Sequence, residues 1–231
     1  MRTTFFTDTL RTATILLVLL LIPHLPAQAQ ITIADEDTEL PDYTDYYAAV
    51  EALEAGDYAT ALEEFRQSAA EGLHLAQYNL GVMYYTGQGV EQSYEDAYHW
   101  LLQSAEQGHL NSMFNVATMY YNGQGVNSAL MQVWPLSLFS RRQNLVQAAT
   151  WYQEAAEYEH AGAQYNLATM YEVGEGVQQD LGEAYKWARL ARDNEANGAT
   201  ALVTRLQQMM TAEQLARAQQ AYAEWVLQYR S

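Results

Sequence analysis

Cysteine is absent from the 231-residue chain, which excludes a disulfide framework, a thiolate zinc site, a cysteine nucleophile and a lipidated N-terminal cysteine. Basic residues are scarce. Eleven Lys and Arg stand against 28 Asp and Glu, and a net charge of -17 repels phosphate instead of releasing its counterions, which argues against a nucleic-acid partner. Proline numbers only four, and after Pro41 only Pro135 remains, so helices can run without interruption. Long hydrophobic runs are lacking too: the longest, Ala13 to Ile22, is broken by Thr14 and is half of the ~20 residues a membrane span requires. What the chain does have is 49% apolar and 12% aromatic residues, enough for a buried core and too many for a wholly disordered chain.

The short apolar run has the setting of an export signal. Arg2 and Arg11 precede it, and Pro23 to Ala29 closes on Ala27-Gln28-Ala29, so residues 1–29 are expected to be a signal peptide cleaved after Ala29. With no lipidation site and no second hydrophobic span, the expected location is the periplasm, or secretion beyond it. Residues 30–41 read as an acidic, flexible leader. Its Asp35-Glu36-Asp37-Thr38-Glu39 lacks the alternating spacing, central glycine and terminal Glu of a calcium loop and is expected to be solvated. Acidity persists downstream, where Arg66 is the only base between Gln30 and Ser140.

Self-similarity dominates the remainder. Met83-Tyr84-Tyr85-Thr86-Gly87-Gln88-Gly89-Val90 recurs as Met119 to Val126 and as Met170 to Val177, at intervals of 36 and 51 residues. The longer interval is the first plus 15 inserted residues. Asn79, Asn115 and Asn166 share the register, as do Ala97, Ala148 and Ala184, and Trp100, Trp151 and Trp187. Apolar residues at three- and four-residue steps make each module two amphipathic helices. Asp57, Ser93, Asn144 and Asp180 fall together at the expected start of each second helix, where such side chains accept from free amides. This register places the insertion, residues 127–141, in the loop between the two helices of one module. Each Gly-x-Gly-Val is expected to end a helix and reverse the chain, because no preceding strand or third glycine supports a phosphate loop.

The pattern Ala-Gln-Tyr-Asn-Leu-Gly-x-Met-Tyr-x-x-Gly-x-Gly-Val, followed by Asp/Glu-Ala-x-x-Trp, resembles the Sel-like repeat (SLR) family, relatives of the tetratricopeptide repeat. The expected fold is an all-α, right-handed superhelical solenoid of about five antiparallel helical hairpins. Residues 42–72 would form the N-terminal hairpin, 73–194 three modules, and 195–231 C-terminal capping helices, with Thr211 and Gln214 as a capping box. Ala117 and Ala168 depart from the glycine at Gly81, and Glu159 and Glu195 from those at Gly72 and Gly108. The resemblance implies a non-enzymatic scaffold or adaptor that binds proteins. It implies two alternatives as well: a module handling glycans or cell-envelope polymers and, less favoured, a hydrolase.

Nothing in the sequence assembles a catalytic constellation or calls for a cofactor. There is no G-x-S-x-G elbow, no His-Glu-x-x-His and no carboxylate pair set in apolar surroundings. His109 and His160 share a repeat position, which repetition explains without a metal. Binding candidates lie elsewhere. Asn79, Asn115 and Asn166 sit on the first helix of each hairpin, the one that lines the concave face in tetratricopeptide-like arrays; each either holds a partner's backbone or, the preferred reading, bonds within the repeat. Tyr85 and Tyr121, with Glu172 in their register, suggest an exposed position and candidate ligand anchors. The insertion, with Trp134 and Phe139, is apolar where loops are usually polar, so it either folds back on the solenoid or waits for a protein or lipid surface. Arg141 and Arg142 follow it and would suit an acidic partner or a headgroup, making 129–142 a candidate for peripheral envelope contact.

Overall fold

A computed structural model describes residues 43–126 and 136–230, without the side chains of 136–139. The expected signal peptide, the acidic leader, Trp134 and the side chain of Phe139 lie outside the described residues. Among the described residues ten helices and no strand follow one another. They are α1 (Thr44–Glu54), α2 (Tyr58–Ala70), α3 (His74–Thr86), α4 (Tyr94–Glu106), α5 (Leu110–Asn122), α6 (Leu136–Glu157), α7 (Ala161–Val173), α8 (Leu181–Asp193), α9 (Ala199–Met209) and α10 (Ala212–Tyr229).

The first eight helices form four hairpins, and the second helix of each packs on the first helix of the next. This is an all-helical repeat solenoid, in which a module buries its apolar stripe only against its neighbours. Leu80, Met83, Leu101, Val116, Met119, Leu167, Met170 and Leu190 are all at most 1% exposed. The closing pair is arranged differently. Both α9 and α10 lie against α8, and the capping box at Thr211 and Gln214 opens α10 as the sequence indicates, with amide-to-side-chain bonds of 3.2 and 2.9 Å.

Local chemistry sets most of the boundaries. Asp57, Ser93 and Asp180 each accept from amides in the first turn of α2, α4 and α8. The fourth expected cap does not form. Residues 136–141 are helical, so α6 begins inside the insertion and Asn144 lies in its third turn, only 2% exposed. Ser140, within the same extension, is 4% exposed. The insertion is therefore not loop throughout: its last six residues add turns to α6, and packing of Ser140 and Leu145 fixes the helix where an isolated cap would have started it later.

Where the sequence departs from the repeat, the backbone does not. Glu159 and Glu195 adopt φ of 65° and 60°, the left-handed conformation that Gly72 and Gly108 hold in the equivalent turns. An L side chain there costs about 1–2 kcal/mol, partly offset because glycine loses more freedom on folding. Replacing the exposed Glu195 by glycine is therefore expected to stabilise the protein by about 0.5–1 kcal/mol. Denaturant melts check this, and a loss of stability would contradict it.

Candidate interaction surface

Charge is divided between the two helices of each module. The first helices α3, α5 and α7 together carry a single ionised side chain, Glu172. The second helices are charged throughout, with Glu63, Glu64 and Arg66 on α2, Glu95, Asp96 and Glu106 on α4, Arg141, Arg142, Glu154 and Glu157 on α6, and Glu183, Lys186, Arg189, Arg192 and Asp193 on α8, while α1, the first helix of the N-terminal hairpin, carries Asp45, Glu51 and Glu54. The row formed by α3, α5 and α7 is thus nearly uncharged, and half-buried aromatic, amide and hydroxyl groups line it.

Asn79, Asn166, Tyr85 and Tyr121 are hydrogen-bonded within the array. Asn79 Nδ2 donates to Leu75 O at 3.0 Å and to the Tyr46 hydroxyl at 3.4 Å, which links α3 to α1. The Asn166 side chain hydrogen-bonds to Tyr152 of the preceding module, and Thr118 Oγ1 lies 2.9 Å from the same hydroxyl. Asn115 is half-buried in the same register. Tyr85 donates to Gln124 at 3.2 Å, and Tyr121 to Glu175 at 2.7 Å. Both acceptors are the central residue of the next module's Gly-x-Gly. The third residue of this series, Glu172, is the opposite of exposed: it is 8% accessible and takes a bidentate pair from Arg205 of α9, at 2.7 and 2.6 Å. One register position therefore ties each module to its successor three times, with two chemistries. Removing Arg205 is the damaging change, since it strands the less accessible carboxylate; truncating Glu172 frees a guanidinium that is already half in water.

A second series of ties sits at the other end of the same helices. Tyr78 packs on His109 with ring centroids 4.6 Å apart, and Phe114 stacks on His160 at 4.5 Å. The hydroxyl of Tyr165 reaches the corresponding Gly198. His109 Nδ1 is 2.8 Å from Ser112 Oγ, and His160 Nδ1 accepts the Ala163 amide at 3.1 Å, which requires its neutral form. Burial lowers the pKa of both, and His74, 5.7 Å from His109, adds to the effect there. A folded pKa below the unfolded value of about 6.5 means that this stability is full above about pH 6.5 and is lost as pH falls through it. Between pH 7.5 and 5 the wild type is expected to lose stability relative to the double variant His109→Asn/His160→Asn, a comparison that removes the common effect of the carboxylates. Parallel curves in thermal melts would contradict it.

Arg141 and Arg142 are exposed near the start of α6. Arg141 is close enough to Tyr121 to oppose the rise in that phenol's pKa caused chiefly by its bond to Glu175. Among the described residues no group of three or more His, Asp or Glu could hold a metal, and no helix is long and apolar enough to cross a membrane.

Comparison with known proteins agrees with this architecture. The family model described as Sel1 repeat matches residues 74–109, 110–128, 138–157 and 161–195, so one repeat is split by the insertion. A Sel1 repeat protein from Oxalobacter formigenes, known by crystal structure, is 31% identical over 68% of this chain, with a TM-score of 0.58. The present chain spans 58% of that protein's length. A protective antigen of uropathogenic Escherichia coli strains, c5321, displaying an SLR fold, is 28% identical over 74% of this chain and 41% of its own, with a TM-score of 0.43. No curated protein matches. The four matched repeats and the likeness to the Oxalobacter formigenes protein lead to one conclusion: the chain belongs to the Sel1 repeat family.

Proposed function

We propose that this protein is an exported, non-enzymatic scaffold that binds a protein partner through the row of first helices. Sel1 repeats form helical protein-interaction modules, and the observation that carries the reading further is the division of charge. A solenoid that places charges of both signs on its second helices keeps α3, α5 and α7 almost free of charge, which favours an uncharged stretch of a partner over a charged one. Since Tyr85, Tyr121, Asn79 and Asn166 serve the module junctions, the contacts to a partner fall to their exposed neighbours on the same row, among them Asn111, Thr86 and Asn122.

Crosslinking in the native envelope followed by mass spectrometry tests this. The variant Asn111→Glu/Asn122→Glu is expected to lose the main crosslinked partner, while Glu63→Lys/Glu95→Lys retains it. The reverse pattern would move the interface to the second helices, and recovery of a neutral glycan in place of a protein would favour the polymer-handling alternative. Export belongs to the same proposal and has its own readout: the purified protein should begin at Gln30, and retention of Met1 on a cytoplasmic product would overturn it. The insertion, residues 127–141, is part of the proposed contact, with Trp134 and Phe139 as its candidate anchors and Arg141 and Arg142 as candidate rim residues. Arg141→Glu/Arg142→Glu, which spares the buried Ser140, is expected to weaken recovery of the partner; unchanged recovery would remove the segment from the interface.

A further inference from the structure

The Gly-x-Gly-Val turns do more than reverse the chain, because each is seated on the module before it. A Cβ on Gly125 would stand 2.0 Å from the carbonyl oxygen of Tyr94, and one on Gly176 would stand 2.1 Å from that of Leu145. On Gly89 it would stand 2.4 Å from Tyr58 Cβ. Tyr58, Tyr94 and Leu145 occupy one register, at the start of α2 and of α4 and, because α6 begins early, in the third turn of α6. The seat is the same three times, and it accepts backbone without a side chain.

The next residue in this register is Leu181, the first of α8. No Gly-x-Gly turn follows it. The chain leaves α9 through extended Met210, and α10 begins instead, with Met210 and Ala212 at the two glycine positions of the register. Over Leu181 and Gly182 there remains an open cleft of about 560 Å³, its other side formed by Met210, Gln214 and Ala221.

We infer that this cleft is a vacant seat which receives a glycine-glycine turn, of the Gly-x-Gly-Val kind, from another repeat protein. The occupant is heterologous because each of the three turns of this chain already presses on its own preceding module. The surface continues the module-to-module interface, so docking there would extend the array by one junction rather than use the row of first helices. The inference rests on the reading of the chain as an interaction scaffold but on a separate surface, so failure of one leaves a different signature from failure of the other.

The test uses the full folded chain and a backbone-cyclised peptide containing Tyr-Asn-Gly-Gln-Gly-Val, the sequence of residues 121–126. Titration followed by amide NMR is expected to give saturable shifts at Leu181, Gly182 and Ala221. Alanine at the second glycine of the peptide should weaken binding at least tenfold. The Ala221→Trp protein, with its cleft filled, should lose the shifts while keeping the wild-type melting temperature and its crosslinked partner. Absence of saturable shifts with the glycine peptide, or equal binding of its alanine form, overturns the inference. Concentration-dependent shifts at the same amides without peptide would assign the cleft to a second copy and overturn the heterologous occupant.

Discussion

Replacing Gly176 by alanine is expected to cost about 3 kcal/mol, and replacing Gly174 only about 1–2 kcal/mol. Both glycines have positive φ, 70° and 78°, so both substitutions carry the penalty of the left-handed region. They differ in what the new methyl meets. At Gly174 the nearest atoms are Gln179 Cβ at 3.2 Å and its amide nitrogen at 3.3 Å, in an exposed connection that need give by only a few tenths of an ångström. At Gly176 it is the carbonyl oxygen of Leu145, held inside a helix, at 2.1 Å. Relief there must separate two modules, so the loss reports on a junction and not on a turn alone. Urea melts of the two variants decide the matter, and equal losses would show that the second glycine is required only for its conformation.

Truncation of Trp187 to alanine is expected to destabilise the protein by about 3–5 kcal/mol, against about 1–2 kcal/mol for Trp151. The two share a repeat position but not an environment. Trp187 is 3% exposed, its Nε1 donates to Glu183 at 3.2 Å, and the ring of Trp225 on α10 lies 6.3 Å away. Trp151 and Trp100 are half-buried at the margin of the core, with no terminal helix laid over them. A Trp151→Ala variant as unstable as Trp187→Ala would mean that α10 contributes little to the cover of α8.

That contrast marks how far the sequence could be read. Helical periodicity and the caps at Asp57, Ser93 and Asp180 are local signals, and the caps mark the starts of α2, α4 and α8. Neighbour relations are not local. The replacement of Tyr85 and Tyr121 by Glu172 suggested a solvent position, yet it records a change of partner, from a turn residue to an arginine 33 positions away on a helix outside the repeat pattern. Asn144 misled for a related reason: the capping register holds, but six inserted residues carry the helix past it, and no residue type at the insertion announced that Ser140 would be buried. The asparagine series pointed to hydrogen bonds within the array, which is where Asn79 and Asn166 make them; that Asn166 reaches back to a tyrosine one module earlier required the packing itself.

The paired ties at the two ends of the first helices have a mechanical consequence. Each junction is a short, separate fastening: an aromatic ring against the next helix start at one end, and a hydrogen bond or ion pair to the next module at the other. Under tension along the chain such fastenings act in series, so the load reaches every junction equally and the weakest opens first. The junctions are not alike, because the last is held by a bidentate ion pair and the two before it by single phenol bonds. A solenoid fastened in this way is graded in stiffness from one end to the other, and it can lengthen by a module at a time without dissolving the modules that remain.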